Sequence, residues 1–190
     1  MTSSFTEHKE FQRVSFTHNL LPQGEYEHCV FDNCIFTKCD LSNMNFADCE
    51  FKHCDLSLVK LKNSVLRDVK FTGCKLLGVH FEECNKFGFS ANFERCQVKL
   101  SSFYKLSLKE SVFKECDLQE VDFTETNLTA VRFEQCDLSR TIFNNTVLEK
   151  ADLRSSYNYS IDPETNRIKK AKFSFTGIAG LLDKYNIVIE

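Results

Sequence analysis

Ten cysteines, five histidines and a spaced series of aspartates are the residues of this 190-residue chain with chemistry to offer. Thiols with imidazoles could ligate a metal, thiols alone could form a disulfide scaffold, and carboxylates in register could share acid and base work. The spacing argues against each. No CxxC and no Cys/His ligand spacing occurs. All ten cysteines (Cys29, Cys34, Cys39, Cys49, Cys54, Cys74, Cys84, Cys96, Cys116 and Cys136) fall in one recurring slot, where a small hydrophobe is required and free Cys serves as one. Of His8, His18, His28, His53 and His80, those inside the repeat described below take outward positions, with no carboxylate or nucleophile at a fixed partner spacing. They read as surface residues. Asp40, Asp55, Asp117, Asp122, Asp137 and Asp152 each stand one residue before a large apolar one, where Asp suits the geometry of a turn. There is no glycine-rich phosphate loop and no nucleophile elbow. The expectation is a non-enzymatic chain without catalytic residues, cofactor or metal.

The elements that carry these residues follow one rule. A large apolar residue recurs at every fifth position from Phe11 to Phe81, and again from Phe93 to Leu153. Neither the helical period of 3.6 nor the strand period of 2 produces this, whereas a fixed internal repeat does. Calling each large residue i, position i−2 is small or a thiol, and i−1 is often polar, as in the CDL runs Cys39-Asp40-Leu41, Cys54-Asp55-Leu56, Cys116-Asp117-Leu118 and Cys136-Asp137-Leu138. Positions i+1 and i+2 carry most of the charge. Two inward and three outward positions describe a chain that turns a corner every five residues.

The pattern resembles the pentapeptide repeat family, whose motif reads A(D/N)Lxx, over roughly residues 9 to 155. The resemblance implies an all-β fold, a right-handed quadrilateral β-helix in which four pentapeptides form the sides of one coil and residues 20 apart stack. Seven coils at the ~4.8 Å spacing of paired strands make a rod roughly 34 Å long. Each coil of such a solenoid contacts only its neighbours. Cys34, Cys54 and Cys74 would form one column and Cys96, Cys116 and Cys136 another, with parallel Cβ vectors that give the wrong torsion for a disulfide.

The formal charge of −3, 27 acidic against 24 basic residues, sets up no strong field of one sign, so direct nucleic-acid binding has little support. The start MTSSFTEHKEF lacks the basic flank and apolar run of a signal peptide, and no stretch approaches a membrane span. The expectation is a cytoplasmic protein.

Function is most readable where the repeat breaks. Between Phe81 and Phe93 it slips by two residues, within 82–92, which predicts a bulge at one corner around Gly88. Phe87 and Phe89 there either refill the core, the favoured outcome, or turn outward beside Lys86 as a candidate contact for a protein partner. A degenerate coil follows at 156–170, with Pro163 suited to a corner or excursion, before Phe173 restores the motif. The β-helix is thus expected over 1–173 and a capping or dimerisation segment over 174–190. In that segment Thr176 is placed to cap a short helix with Ile178, Leu181, Leu182 and Tyr185 on one face. Gly177 and Gly180 weaken that helix by roughly 1 kcal/mol each, so packing must hold it. Ile187, Val188 and Ile189 read as a terminal strand. Helix and strand either cap their own last coil or pair with a copy of themselves.

A restored final motif, a Leu-Leu helix and an Ile-Val-Ile ending are similar to the C-terminus of the quinolone-resistance (Qnr-type) subfamily. That resemblance implies a homodimer joined head to head through Ile178, Leu181, Leu182, Tyr185, Ile187 and Ile189. It further implies a doubled rod that mimics duplex DNA, occupies the DNA-binding saddle of DNA gyrase or topoisomerase IV and protects the enzyme from quinolones. The alternative is a structural scaffold or interaction module with a different protein partner, since fold alone does not fix function.

Overall fold

The computed structural model describes residues 4–188. Its eleven short strands form two parallel sheets. The first contains β1 (Ser4–Glu7), β3 (Gly24–Glu27), β5 (Asn45–Ala47) and β7 (Val65–Arg67). The second contains β2 (Glu10–Gln12), β4 (Val30–Asp32), β6 (Glu50–Lys52), β8 (Val69–Thr72), β9 (Ala91–Glu94), β10 (Val112–Lys114) and β11 (Arg132–Glu134). Two more faces are held by single parallel bridges, one running Ser15, Ile35, Asp55, Lys75, Gln97, Asp117, Asp137 and Tyr157, the other through His80, Ser102, Asp122 and Ile142. Four faces closing one coil make the all-β quadrilateral β-helix.

The five-residue rule maps directly onto this prism. Positions i−2 and i are buried on nearly every side, as in Cys34 with Phe36 and Val121 with Phe123, all 0% exposed. Position i+2 turns each corner in left-handed conformation, with φ of 53° at Asn33, 59° at Lys38 and 58° at Glu120. Non-glycine residues seldom adopt that region. Here each corner N–H is tied to the next coil, Asn33 to the Lys52 carbonyl at 2.8 Å and Lys38 to that of Ser57 at 2.9 Å, which holds the turn in place. The aspartates at i−1 do the turn work expected of them. Carboxylates of Asp40, Asp55, Asp122 and Asp137 each accept the N–H two residues on, from Ser42, Ser57, Thr124 and Ser139, at 2.8 to 3.0 Å. Hydrogen bonds from Ser42 hold the Asp40 carboxyl below the usual range, so it stays an acceptor and not a proton shuttle.

Large residues stack in columns. Phe11, Phe31, Phe51, Phe71, Phe93, Phe113 and Phe133 lie face to face with ring centroids 4.7 to 5.3 Å apart. A second column, Phe81, Phe103, Phe123 and Phe143, meets the first edge-on, as at Phe103 and Phe113 (5.9 Å, 84°). Stacked contacts within columns and edge contacts between them satisfy both preferred aromatic geometries.

The i−2 slot does more than take up little space. Its thiols and hydroxyls donate to the carbonyl of the large residue in the preceding coil: Cys54 Sγ to Phe31 at 3.2 Å, Cys136 Sγ to Phe113 at 3.3 Å, Ser64 Oγ to Leu41 at 2.7 Å and Thr126 Oγ1 to Phe103 at 2.8 Å. Cys, Ser and Thr interchange along the rod because each supplies a short donor at that point.

Phe71 pairs with Phe93 and Lys75 with Gln97, so the two-residue slip is confined to one side of one coil and the stacks run through it. The two expected thiol columns therefore join into one, from Cys34 to Cys136, with all cysteines free and buried. At the slip a turn of 3₁₀ helix (Phe81–Glu83) leads to Cys84 and then to a loop closed by the Ser90 N–H on the Leu66 carbonyl at 2.9 Å.

Candidate interaction surfaces

The thiols are sealed in the core and the aspartates are spent on turns. The outer surface is left to carry function; single apolar residues such as Leu20, Leu58 and Leu100 are exposed along it, and apolar exposure is greatest at two places. The first is the slip loop, where the pair Phe87 and Phe89 divides. Phe89 refills the core at 8% exposure, edge-on to Phe81 at 6.2 Å, so it is no surface contact; Phe87 stands 91% exposed at the tip beside exposed Lys86. An Asx turn shapes the tip, with the Phe87 N–H on Asn85 Oδ1 at 2.9 Å, and Gly88 follows at φ 73°.

The second is the C-terminal end. Residues 156–170 fill their coil differently from the rest: Tyr159 and Ile161 are buried in place of the missing apolar centres, and Asn166 donates to the Phe143 carbonyl at 3.0 Å. Pro163 sits in a turn. The segment after Phe173 then folds back over this coil as two turns of 3₁₀ helix (Ile178–Leu181 and Asp183–Tyr185), not as the expected amphipathic helix. Its approach is held by Ser174 Oγ, which accepts the Gly177 N–H at 3.0 Å, and no side chain, Thr176 included, caps the first turn. The glycines explain the flattened path. A Cβ at Gly177 would stand 2.0 Å from the Tyr159 hydroxyl and one at Gly180 only 2.1 Å from the Tyr159 carbonyl oxygen. The Ile161 N–H binds the Gly180 carbonyl at 2.9 Å across this contact. Lys184 then clamps the tail to Asp162 at 2.8 Å and Glu164 at 2.5 Å, and Tyr185 donates to Glu164 at 3.0 Å. These charges hold the Asp162 and Glu164 carboxyls low and the Lys184 ammonium high.

Gly180→Ala is therefore expected to lift the tail, at a cost of about 1–3 kcal/mol, because the clashing atom is backbone and cannot rotate away. Limited trypsin digestion should cut at Lys184 several times faster in that variant while the circular dichroism of the solenoid is unchanged. Equal cleavage rates would show that the tail is not held by this contact.

The expected terminal strand is not formed among the described residues: Ile187 and Val188 continue as irregular chain. A strand needs a pairing edge, and the described part of this tail, lying across the coil end, meets none. Of the six predicted dimer contacts, Ile178, Tyr185 and Ile187 are about half exposed, while Leu181 packs partly into the core and Leu182 is half-buried. Ile189 lies outside the described residues. Sequence reasoning missed Phe175, 93% exposed, and gave no contact to Val188, 85% exposed. Phe175 had a signal: it stands at i+2 of Phe173, a slot that is mostly polar or charged elsewhere.

Comparison with known proteins agrees with this architecture. A model described as pentapeptide repeat region matches residues 89–158, and one described as pentapeptide repeats (8 copies) matches residues 27–63. No curated protein matches the chain. Among solved structures, a trypsin-treated variant of QnrB1, described as a plasmid-mediated fluoroquinolone resistance protein, is similar with a TM-score of 0.71 and 17% identity, covering 98% of this chain and 92% of that one. Full-length QnrB1 is similar with a TM-score of 0.63 and 16% identity, covering 97% and 100%. Likeness at these identities establishes the fold.

Proposed function

The chain belongs to the pentapeptide repeat family, and from that premise we propose that it is a non-catalytic binding protein whose C-terminal ends join two rods into a dimer, and that the dimer occupies the DNA-binding surface of a type II topoisomerase and protects it from quinolones. The observation that carries the dimer is the apolar surface left over at the capped end. The tail covers its own last coil with Leu181, the glycines and the Lys184 clamp, yet Phe175, Ile178, Tyr185, Ile187 and Val188 remain outside. A cap alone has no use for that surface. A second copy related by a two-fold axis does, because one patch can serve both subunits. The topoisomerase partner rests on the likeness of the whole rod to QnrB1 and on the similar C-terminal motif.

Ile178→Glu combined with Phe175→Glu should abolish dimerisation without unfolding, since both side chains are exposed in the single chain and only association would bury the charges, at several kcal/mol. Light scattering should report dimers for the parent protein and monomers for the variant. In a competition experiment the parent should displace linear duplex DNA from purified gyrase and the variant should not. A monomeric parent, or a dimer that leaves the gyrase–DNA complex untouched, would remove the corresponding half of the proposal.

Phe87 favours a second reading, a scaffold for another protein partner. An aromatic ring 91% exposed at the tip of a shaped loop adds nothing to the solenoid and offers an anchor of the kind protein interfaces use.

A further inference from the structure

We propose that the corner shared by the first three coils binds a divalent transition ion of the zinc kind, with Glu27, His28 and Asp48 as ligands and His8 as the fourth donor. The donor atoms of Glu27, His28 and Asp48 already lie within 4.8 Å of one another. The His8 and His28 rings stack with centroids 5.0 Å apart and planes 8° from parallel, placing a second imidazole next to that group, though not within its 4.8 Å cluster.

The repeat builds this arrangement. His8, His28 and Asp48 occupy the same left-handed corner of successive coils, at φ 52°, 52° and 51°. Their backbones are pinned by the ladder: the His8 N–H binds the Glu27 carbonyl at 3.1 Å, the His28 N–H that of Ala47 at 3.0 Å and the Asp48 N–H that of Arg67 at 2.9 Å. Imidazole and carboxylate side chains therefore project from a rigid edge with their spacing fixed by the coil repeat. Zinc takes such donors at 2.0–2.2 Å, which places them about 3.3 Å apart in a tetrahedron. Glu7, 3.3 Å from His8 Nε2, is placed to orient that ring in the way carboxylates orient metal-bound histidines. Among the described residues no other such group of three donors is found; His53, in the same kind of slot, pairs with Asp32 at 3.4 Å. The neighbouring thiols point into the core instead of into this corner: Cys29 is buried and donates to the Thr6 and Glu27 carbonyls.

The test is a titration of the intact chain with Zn²⁺ alone by calorimetry, and with Co²⁺ by visible absorption. One saturable ion per chain is expected, with cobalt d–d bands of low coordination number and no thiolate charge-transfer band. His28→Ala should abolish binding, His8→Ala should weaken it by about tenfold or more, and His53→Ala should leave it unchanged. Circular dichroism would confirm that the variants, all at exposed positions, remain folded. No saturable binding, a thiolate charge-transfer band, or undiminished binding by the His28 variant would each overturn the site.

Discussion

Phe113→Ala should destabilise the protein by about 3–5 kcal/mol, the range for emptying a phenylalanine site in a packed core. Phe113 is fully buried, lies between Phe93 at 4.8 Å and Phe133 at 5.3 Å, and meets Phe103 and Phe123 edge-on at 5.9 Å. Its loss removes contacts in three coils at once. A solenoid has no alternative packing to offer, because each coil touches only the two beside it. Phe11→Ala is the comparison: that ring begins the same column, is only partly buried and stacks on one partner in the column, Phe31. Its removal should cost less than half as much. Guanidinium unfolding midpoints measure both, and equal costs would mean that the aromatic column is not what holds the coils together.

The buried thiols give the second large effect, which depends on pH. Burial pushes the thiols of Cys49 and Cys84 up to about 12, the latter aided by the charges of Glu82 and Glu83; the thiol hydrogen bond with Cys54, together with burial, brings Cys74 to about 12. Cys136 is raised by a thiol hydrogen bond with Cys116 and by burial, and Cys39 by burial. An unfolded thiol ionises near 8.5. With the folded value above the unfolded one, the stabilisation is fully present below about pH 8.5 and is lost as pH rises from there towards 12. Each such thiol contributes a slope of about 1.4 kcal/mol per pH unit, so Cys49 and Cys84, both raised chiefly by burial, should alone remove on the order of 4 kcal/mol by pH 10. Urea midpoints should stay level from pH 7 to 8.5 and then fall steeply. Urea midpoints that stayed level up to pH 10 would contradict this account.

The solenoid was legible because its rule is local. Five residues decide one side of the prism, so Phe11 to Phe81 and Phe93 to Leu153 announce the columns before any contact is known. The slip was harder to read. Whether Phe87 or Phe89 fills the core depends on where the chain rejoins the ladder, and the Ser90 N–H on the Leu66 carbonyl sets that across 24 residues of sequence. The same bond is what makes one thiol column out of two. In the tail, Gly177 and Gly180 were read by helix propensity, but their position is dictated by Tyr159 beneath them, a contact no local window contains. The i−2 cysteines were understood as small hydrophobes, and their donation to carbonyls one coil away became visible only in three dimensions. Likewise His8 and His28 read as surface residues from sequence, but their stacking across 20 residues and the approach of Asp48 from the next coil appear only in three dimensions.

The proposed function stands most directly on one assay: gyrase supercoiling in the presence of a quinolone, with the parent protein titrated beside the Ile178→Glu, Phe175→Glu variant. Restored supercoiling by the parent and none by the monomeric variant is the predicted result. No effect of the parent at micromolar concentration, or equal protection by both, would contradict a dimeric rod that guards a topoisomerase.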